Sequence, residues 1–148
     1  MGKPIERYTA LVIQPHVTVA EDRDGIKKNL DRVLNMIDFG VGYFWEVPAR
    51  LVVLPEYFLQ GVTTPGKGEH GIESFMKKAI TIPGPEMDEL GKKAQEYGIY
   101  IAGGGVVEQV PEFPDRWFNA AFIIGPNGDV ILKYHKWHIC LLYTSPSP

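Results

Sequence analysis

Glu56 and Lys136 are the side chains of this 148-residue chain best placed to do chemistry, and the only cysteine lies four residues past the lysine. Glu56 follows the apolar run "LVVLP" directly, where a buried strand gives way to a loop. Ligand sites in α/β sheets gather at the carboxyl ends of strands. Desolvation there is expected to raise the carboxyl pKa and favour a general acid or base role. The plainer alternative is a surface glutamate at a strand end. Lys136 lies in "VILKYHKWHI", whose strand-like character makes side chains alternate. Tyr134, Lys136, His138 and Cys140 then share one face, and His135, Trp137 and Ile139 the other. A lysine partly desolvated among Tyr, Trp and Ile would suit stabilisation of an oxyanion; the alternative is a lysine snorkelling at a sheet edge. Cys140 is the only cysteine and falls just past Lys136.

Other clusters carry less chemistry. His135, His138 and Cys140 have the look of metal ligands, but alternation turns His135 away from the other two. No second Cys/His pair completes a tetrahedral site, so no metal is expected. The triple glycine Gly103 to Gly105 leads into "VVEQV", which is more strand. A dinucleotide fingerprint needs spaced glycines before a helix, so close strand or substrate approach, or a bulge, is the better reading. Glu108 lies just beyond and has reach toward the same region, though most such glutamates are solvated.

The elements that must position these residues follow from periodicity. "YTALVIQ" (Tyr8 to Gln14) is apolar with little alternation, the pattern of a strand covered on both faces. Ile26, Leu30, Val33, Leu34 and Ile37 form a helical stripe, capped by Asp22 or Asp24. Arg50 to Pro55 is a second short buried strand. Residues 59 to 83 are rich in Gly, Thr and Pro and read as a long excursion holding at most a short helix near "IESFMKK". In "GPEMDELGKKAQEYG", Pro85 suits the first turn, Met87, Leu90, Ala94 and Tyr97 form a stripe, and Gly98 ends the helix. "IYIAGGGVVEQV" is a strand. "RWFNAAFIIGPNGDVILKYHKWHI" reads as a hairpin turning at "PNGD". Its first strand has Trp117, Ala121 and Ile123 on one side and Phe118, Phe122 and Ile124 on the other, which predicts burial between two layers. The order is an α/β layered domain.

Composition bounds the function. Hydrophobic residues make up 45% and charged residues 22%, and the net charge is −3, a globular profile. The absence of a basic cluster argues against a nucleic-acid binder. One cysteine rules out an internal disulfide framework, and "MGKPIERYTALVIQPHV" is neither a signal peptide nor a membrane span. A cytoplasmic protein with no membrane contact is the expectation.

From about Tyr8 to about His138 the chain resembles the nitrilase superfamily, the carbon–nitrogen hydrolases. The resemblance is carried by "LVVLPEYFLQG", "IPGPEMDELGKKAQEYGIYIAGGGVVE" and "RWFNAAFIIGPNGDVILKYHKWH" in that order. It implies an α/β fold: the N-terminal half of a four-layer αββα sandwich, incomplete in this chain. It also implies a Glu–Lys–Cys triad that attacks a small-molecule amide or nitrile without metal or organic cofactor. Glu56 corresponds to the base and Lys136 to the oxyanion-stabilising lysine, with His135 in place of the usual arginine. Tyr57 and Asn119, in the same stretches, are the candidate substrate-binding residues. The parent enzyme is expected to form a homo-oligomer.

The cysteine departs from the pattern. In the family it lies well downstream of the lysine in a "C-Y-D/E" context, and the second glutamate that often follows the lysine is missing here. "CLLYTSPSP" resembles translated sequencing-adapter read-through. The expected division is therefore 1–139 as the N-terminal part of a hydrolase domain and 140–148 as a non-native or unstructured tail, with the nucleophile missing and the chain alone inactive. Two alternatives stand beside this reading: a non-catalytic binding or assembly domain of the same fold, and a small Rossmann-like nucleotide binder that lacks its fingerprint.

Overall fold

The computed structural model describes residues 5–43, 46–62 and 72–137. Five strands form a single sheet in sequence order: β1 (Thr9–Val12), β2 (Ala49–Leu54), β3 (Tyr100–Glu108), β4 (Phe118–Ile124) and β5 (Val130–His135). β1, β2 and β3 are parallel, and β4 and β5 return antiparallel. Parallel neighbours need crossovers. Helix α1 (Arg23–Gly42) joins β1 to β2, and α2 (Ile72–Lys77) with α3 (Pro85–Tyr97) joins β2 to β3.

The helix signals operate as the sequence predicts. Asp22 caps α1, its side chain accepting from the Gly25 N–H at 2.9 Å. This satisfies a backbone donor that the first turn leaves orphaned. Pro85 occupies the first turn of α3, and Gly98 ends it at φ 63°, donating its N–H to the Ala94 carbonyl. Glycine takes that left-handed conformation without a Cβ clash. The α1 stripe of Ile26, Leu30, Val33 and Ile37 and the α3 stripe of Met87, Leu90 and Ala94 merge with Val52, Leu54, Ile101, Phe122 and Ile124 into one core. Both long helices therefore cover the same face of the sheet. At their N-termini Arg23 pairs with the buried Glu86.

The opposite face corrects two expectations. β1 is an edge strand open on one side: Leu11 packs toward the core, while Val12 is 79% exposed. On β4, Phe118, Ala120, Phe122 and Ile124 are buried, but Ala121 and Ile123 are only half-buried. The reason is visible in the register. Val12, Val53, Ala102, Ile123 and Leu132 stand opposite one another across all five strands. Ala10, Leu51 and Tyr100 form a second row. This apolar surface has no layer over it among the described residues. Its sequence pattern is that of a doubly covered sheet, and the described residues supply one cover.

Candidate active site

The parallel strands β2 and β3 end on the same side of the sheet. The antiparallel return of β4 and the direction of β5 bring the start of β4 and the end of β5 to that same side. Glu56, Asn119 and Lys136 meet there from three separate segments.

Lys136 donates from Nζ to Glu56 Oε1 at 2.9 Å, across 80 residues of sequence. Asn119 donates from Nδ2 to the same Oε1 at 2.7 Å and to the Tyr57 hydroxyl at 3.1 Å. Both donors to Glu56 use one oxygen. Oε2 has no protein partner among the described residues, so its lone pairs remain open to a proton. The Glu56 side chain is 45% exposed and that of Lys136 is 41% exposed, which puts the pair at the surface of the open face. Lys136 is thus more solvated than its aromatic neighbours in sequence suggested.

The Glu56 carboxyl also departs from expectation. Burial pushes its pKa up, as the strand-end position predicts. Hydrogen bonds from Lys136 and Asn119, and the Lys136 charge, more than offset this and hold it below its ordinary value. The sign is reversed because a cation and an amide from remote strands solvate the charged form. At neutral pH Glu56 is a carboxylate, ready to accept a proton.

The glycines that follow Ile101 and Ala102 make this packing possible. A Cβ on Gly104 would lie 2.8 Å from the Glu56 backbone nitrogen, and one on Gly105 would lie 1.7 Å from Asn119 Oδ1. β3 is irregular between Gly103 and Val106. Close approach and a bulge, both anticipated from the triplet, are what the glycines serve. The Gly105 carbonyl accepts from the Tyr57 N–H at 2.6 Å. Tyr57 itself sits at φ 57°, a left-handed conformation costly for a residue with a Cβ and often found at functional sites. Asn119 is 2% exposed, so it lies behind Glu56 rather than at the solvent boundary. A second apolar cluster of Phe75, Val107 and Trp117 supports Tyr57 from behind, with Phe75 and Trp117 stacked at 4.6 Å. Lys78 packs by the same cluster, its ammonium 5.0 Å from the Phe75 ring, and burial lowers its pKa.

Glu108 does not join this site. It is 1% exposed and faces the helix side of the sheet, where Lys133 donates to Oε1 at 2.7 Å and His135 bonds Oε2 at 2.6 Å. The alternation of β5 was a usable signal for placing Lys133 and His135 together and away from Lys136. Their shared partner on β3 left no mark in the sequence. His138 and Cys140 lie outside the described residues. Among the described residues no cluster of three His, Cys, Asp or Glu side chains is arranged to hold a metal ion, and no helix is long and apolar enough to cross a membrane.

The architecture is that of nitrilase-superfamily proteins. An N-terminal amidase structure superposes with a TM-score of 0.69 at 19% identity, over 88% of this chain and 28% of its own. Saccharomyces cerevisiae Nit3, a member of branch 10 of the nitrilase superfamily, superposes with a TM-score of 0.67 at 23% identity, over 89% of this chain and 45% of its own. The fold is accordingly one helix layer and one sheet of the four-layer αββα sandwich.

The carbon–nitrogen hydrolase family profile matches residues 10–148, and the chain belongs to that family. Formamidases from Bacillus cereus (strain Q1) and Bacillus anthracis are 35% and 34% identical to it over 140 residues. The chain spans 38% of the length of these relatives, and the alignment covers 92% of the chain.

Proposed function

We propose that the chain carries the base and the oxyanion-stabilising lysine of a hydrolase that cleaves the C–N bond of small amides through a Glu–Lys–Cys triad. The observation that carries this reading is the Lys136–Glu56 contact of 2.9 Å at the carboxyl end of β2, with the second oxygen of Glu56 open. Formamidases among the similar proteins favour a short amide, and formamide is the first substrate to test.

In this reading a cysteine thiol gives its proton to Glu56 Oε2 and the thiolate attacks the amide carbon. A thiol is a weak nucleophile until ionised, and a neighbouring ammonium favours the thiolate. The carbonyl oxygen takes the negative charge, which Lys136 stabilises. Protonated Glu56 returns its proton to the leaving nitrogen, and ammonia departs. Water then gives a proton to Glu56 and attacks the thioester carbon; the C–S bond breaks, the carboxylic acid departs, and Glu56 returns its proton to the thiolate. Asn119 keeps Oε1 occupied so that Oε2 remains the oxygen that exchanges protons. The nucleophile is assigned to a cysteine of the full-length protein other than Cys140, because "CLLYTSPSP" lacks the context in which the family carries it.

The test is formamide hydrolysis by the full-length protein and by this chain. Glu56→Gln and Lys136→Met are expected to lower kcat/KM of the full-length protein at least about 10³-fold, and the 148-residue chain is expected to be inactive. Hydrolysis by this chain that Cys140→Ser abolishes would overturn the assignment of the nucleophile. Full activity in Glu56→Gln would overturn the triad.

A further inference from the structure

Lys136 reaches Glu56 from a poor starting point. Its side chain is 41% exposed, and exposed ion pairs seldom hold a long side chain in one place. Its backbone is better fixed than its side chain. The Lys136 N–H donates to the Asn119 carbonyl at 2.8 Å. One residue earlier, His135 projects through to the other face of the sheet, because neighbours on a strand alternate.

On that face His135 is held twice. Its ring stacks on Phe118 at 4.4 Å, with the planes 18° apart, and its Nε2 bonds Glu108 Oε2 at 2.6 Å. The other oxygen of Glu108 accepts from Lys133, whose Nζ also reaches the Ile82 carbonyl at 3.1 Å. Glu108 is 1% exposed. A carboxylate so buried is costly to leave without its donors, so the end of β5 cannot move away from β3 without a penalty.

We infer that Glu108, Lys133 and His135 form a clamp behind the sheet that positions Lys136 against Glu56. All three are positioning residues: they fix where the chain leaves β5, and so where the ammonium sits. The inference rests on the proposed pairing of Glu56 with Lys136 in the site. It gives a role to three residues on the face away from that site, and it assigns His135 the task of anchoring the residue that follows it.

The experiment reads the Glu56 side-chain carboxyl by ¹³C NMR titration in the full-length protein, with Lys136→Met as the reference for a lost pair. Glu108→Gln and His135→Leu are expected to raise the Glu56 midpoint by at least half the shift seen in Lys136→Met. His135→Arg retains a donor for Glu108 and is expected to keep the midpoint where it is in the unsubstituted protein. A cluster that served stability alone would lower the thermal midpoint without moving Glu56. Folded Glu108→Gln and His135→Leu with unshifted Glu56, alongside a shifted Lys136→Met, would therefore overturn the clamp. Should either variant fail to fold, His135→Asn decides by the same criterion. A Lys136→Met variant with no shift would remove the pair and the clamp with it. Absence of hydrolase activity in the full-length protein would overturn the proposed function and leave the midpoint shifts standing.

Discussion

Glu56 shows how two opposed effects settle at one side chain. Its position at a strand end predicts a raised pKa, and burial does act in that direction. Lys136 and Asn119 act against it and prevail. The consequence for stability follows from the sign. A carboxyl with a depressed folded-state pKa binds fewer protons when folded than when unfolded, so it adds stability above its unfolded pKa. That contribution is lost as pH falls through the depressed folded value. Because Glu56 is nearly half exposed, solvent screening keeps the effect small, below about 1 kcal/mol. Glu56→Gln is expected to flatten the acid limb of the stability curve, measured by urea unfolding from neutral pH downward. An acid limb of unchanged steepness would mean that the pair does not form in solution. Glu56 and Lys136 were legible in the sequence as candidate residues, and the fold brings them within 2.9 Å of each other. The direction of the pKa shift was not, because it depends on donors that lie 63 and 80 residues away.

At the scale of elements, the end of β2 and the glycine stretch of β3 act as one unit. Gly104 admits the backbone at Glu56, Gly105 admits the Asn119 amide, and the Gly105 carbonyl holds Tyr57 in its left-handed turn. Gly105→Ala would drive a methyl into Asn119 Oδ1. Overpacking of this kind costs about 1–3 kcal/mol, and the displaced amide is expected to release Glu56. The variant should therefore unfold at lower denaturant and titrate Glu56 closer to the ordinary carboxylate range. A neutral effect on both measurements would show that the bulge accommodates a side chain. Helix boundaries were readable because caps are local chemistry: Asp22, Pro85 and Gly98 act within one turn of themselves. The left-handed Tyr57 was not readable, since no local residue demands it. Its turn is imposed by a neighbouring strand.

At the scale of the whole molecule, one sheet face is left open among the described residues. Val12, Val53, Ala102, Ile123 and Leu132 line up across it, with Val12 79% and Leu132 48% exposed. Contiguous apolar surface of this kind drives association. At micromolar concentration this chain is expected to sediment as an associated species. Val12→Lys combined with Leu132→Lys should shift it toward monomer while leaving the far-UV circular dichroism unchanged. Monomeric behaviour without either substitution would show that the face tolerates water. The apolar rows were visible as strands without alternation, which the sequence presents as doubly buried. That one cover is absent among the described residues became visible only once the helices were seen on a single face.

What the sequence determined alone is whatever depends on near neighbours: the strands and helices, their caps, the hairpin turn, and the family to which the Glu56 and Lys136 motifs point. What the tertiary structure decided is whatever depends on approach between distant segments. It set the shared use of Glu56 Oε1 by Asn119 and Lys136, the packing of Gly105 against Asn119, and the turning of Glu108 toward Lys133 and His135. The physical reason is range. Propensity and capping are exhausted within a few residues of chain, whereas hydrogen bonds and charge pairs form between whichever groups the sheet register brings within about 3 Å.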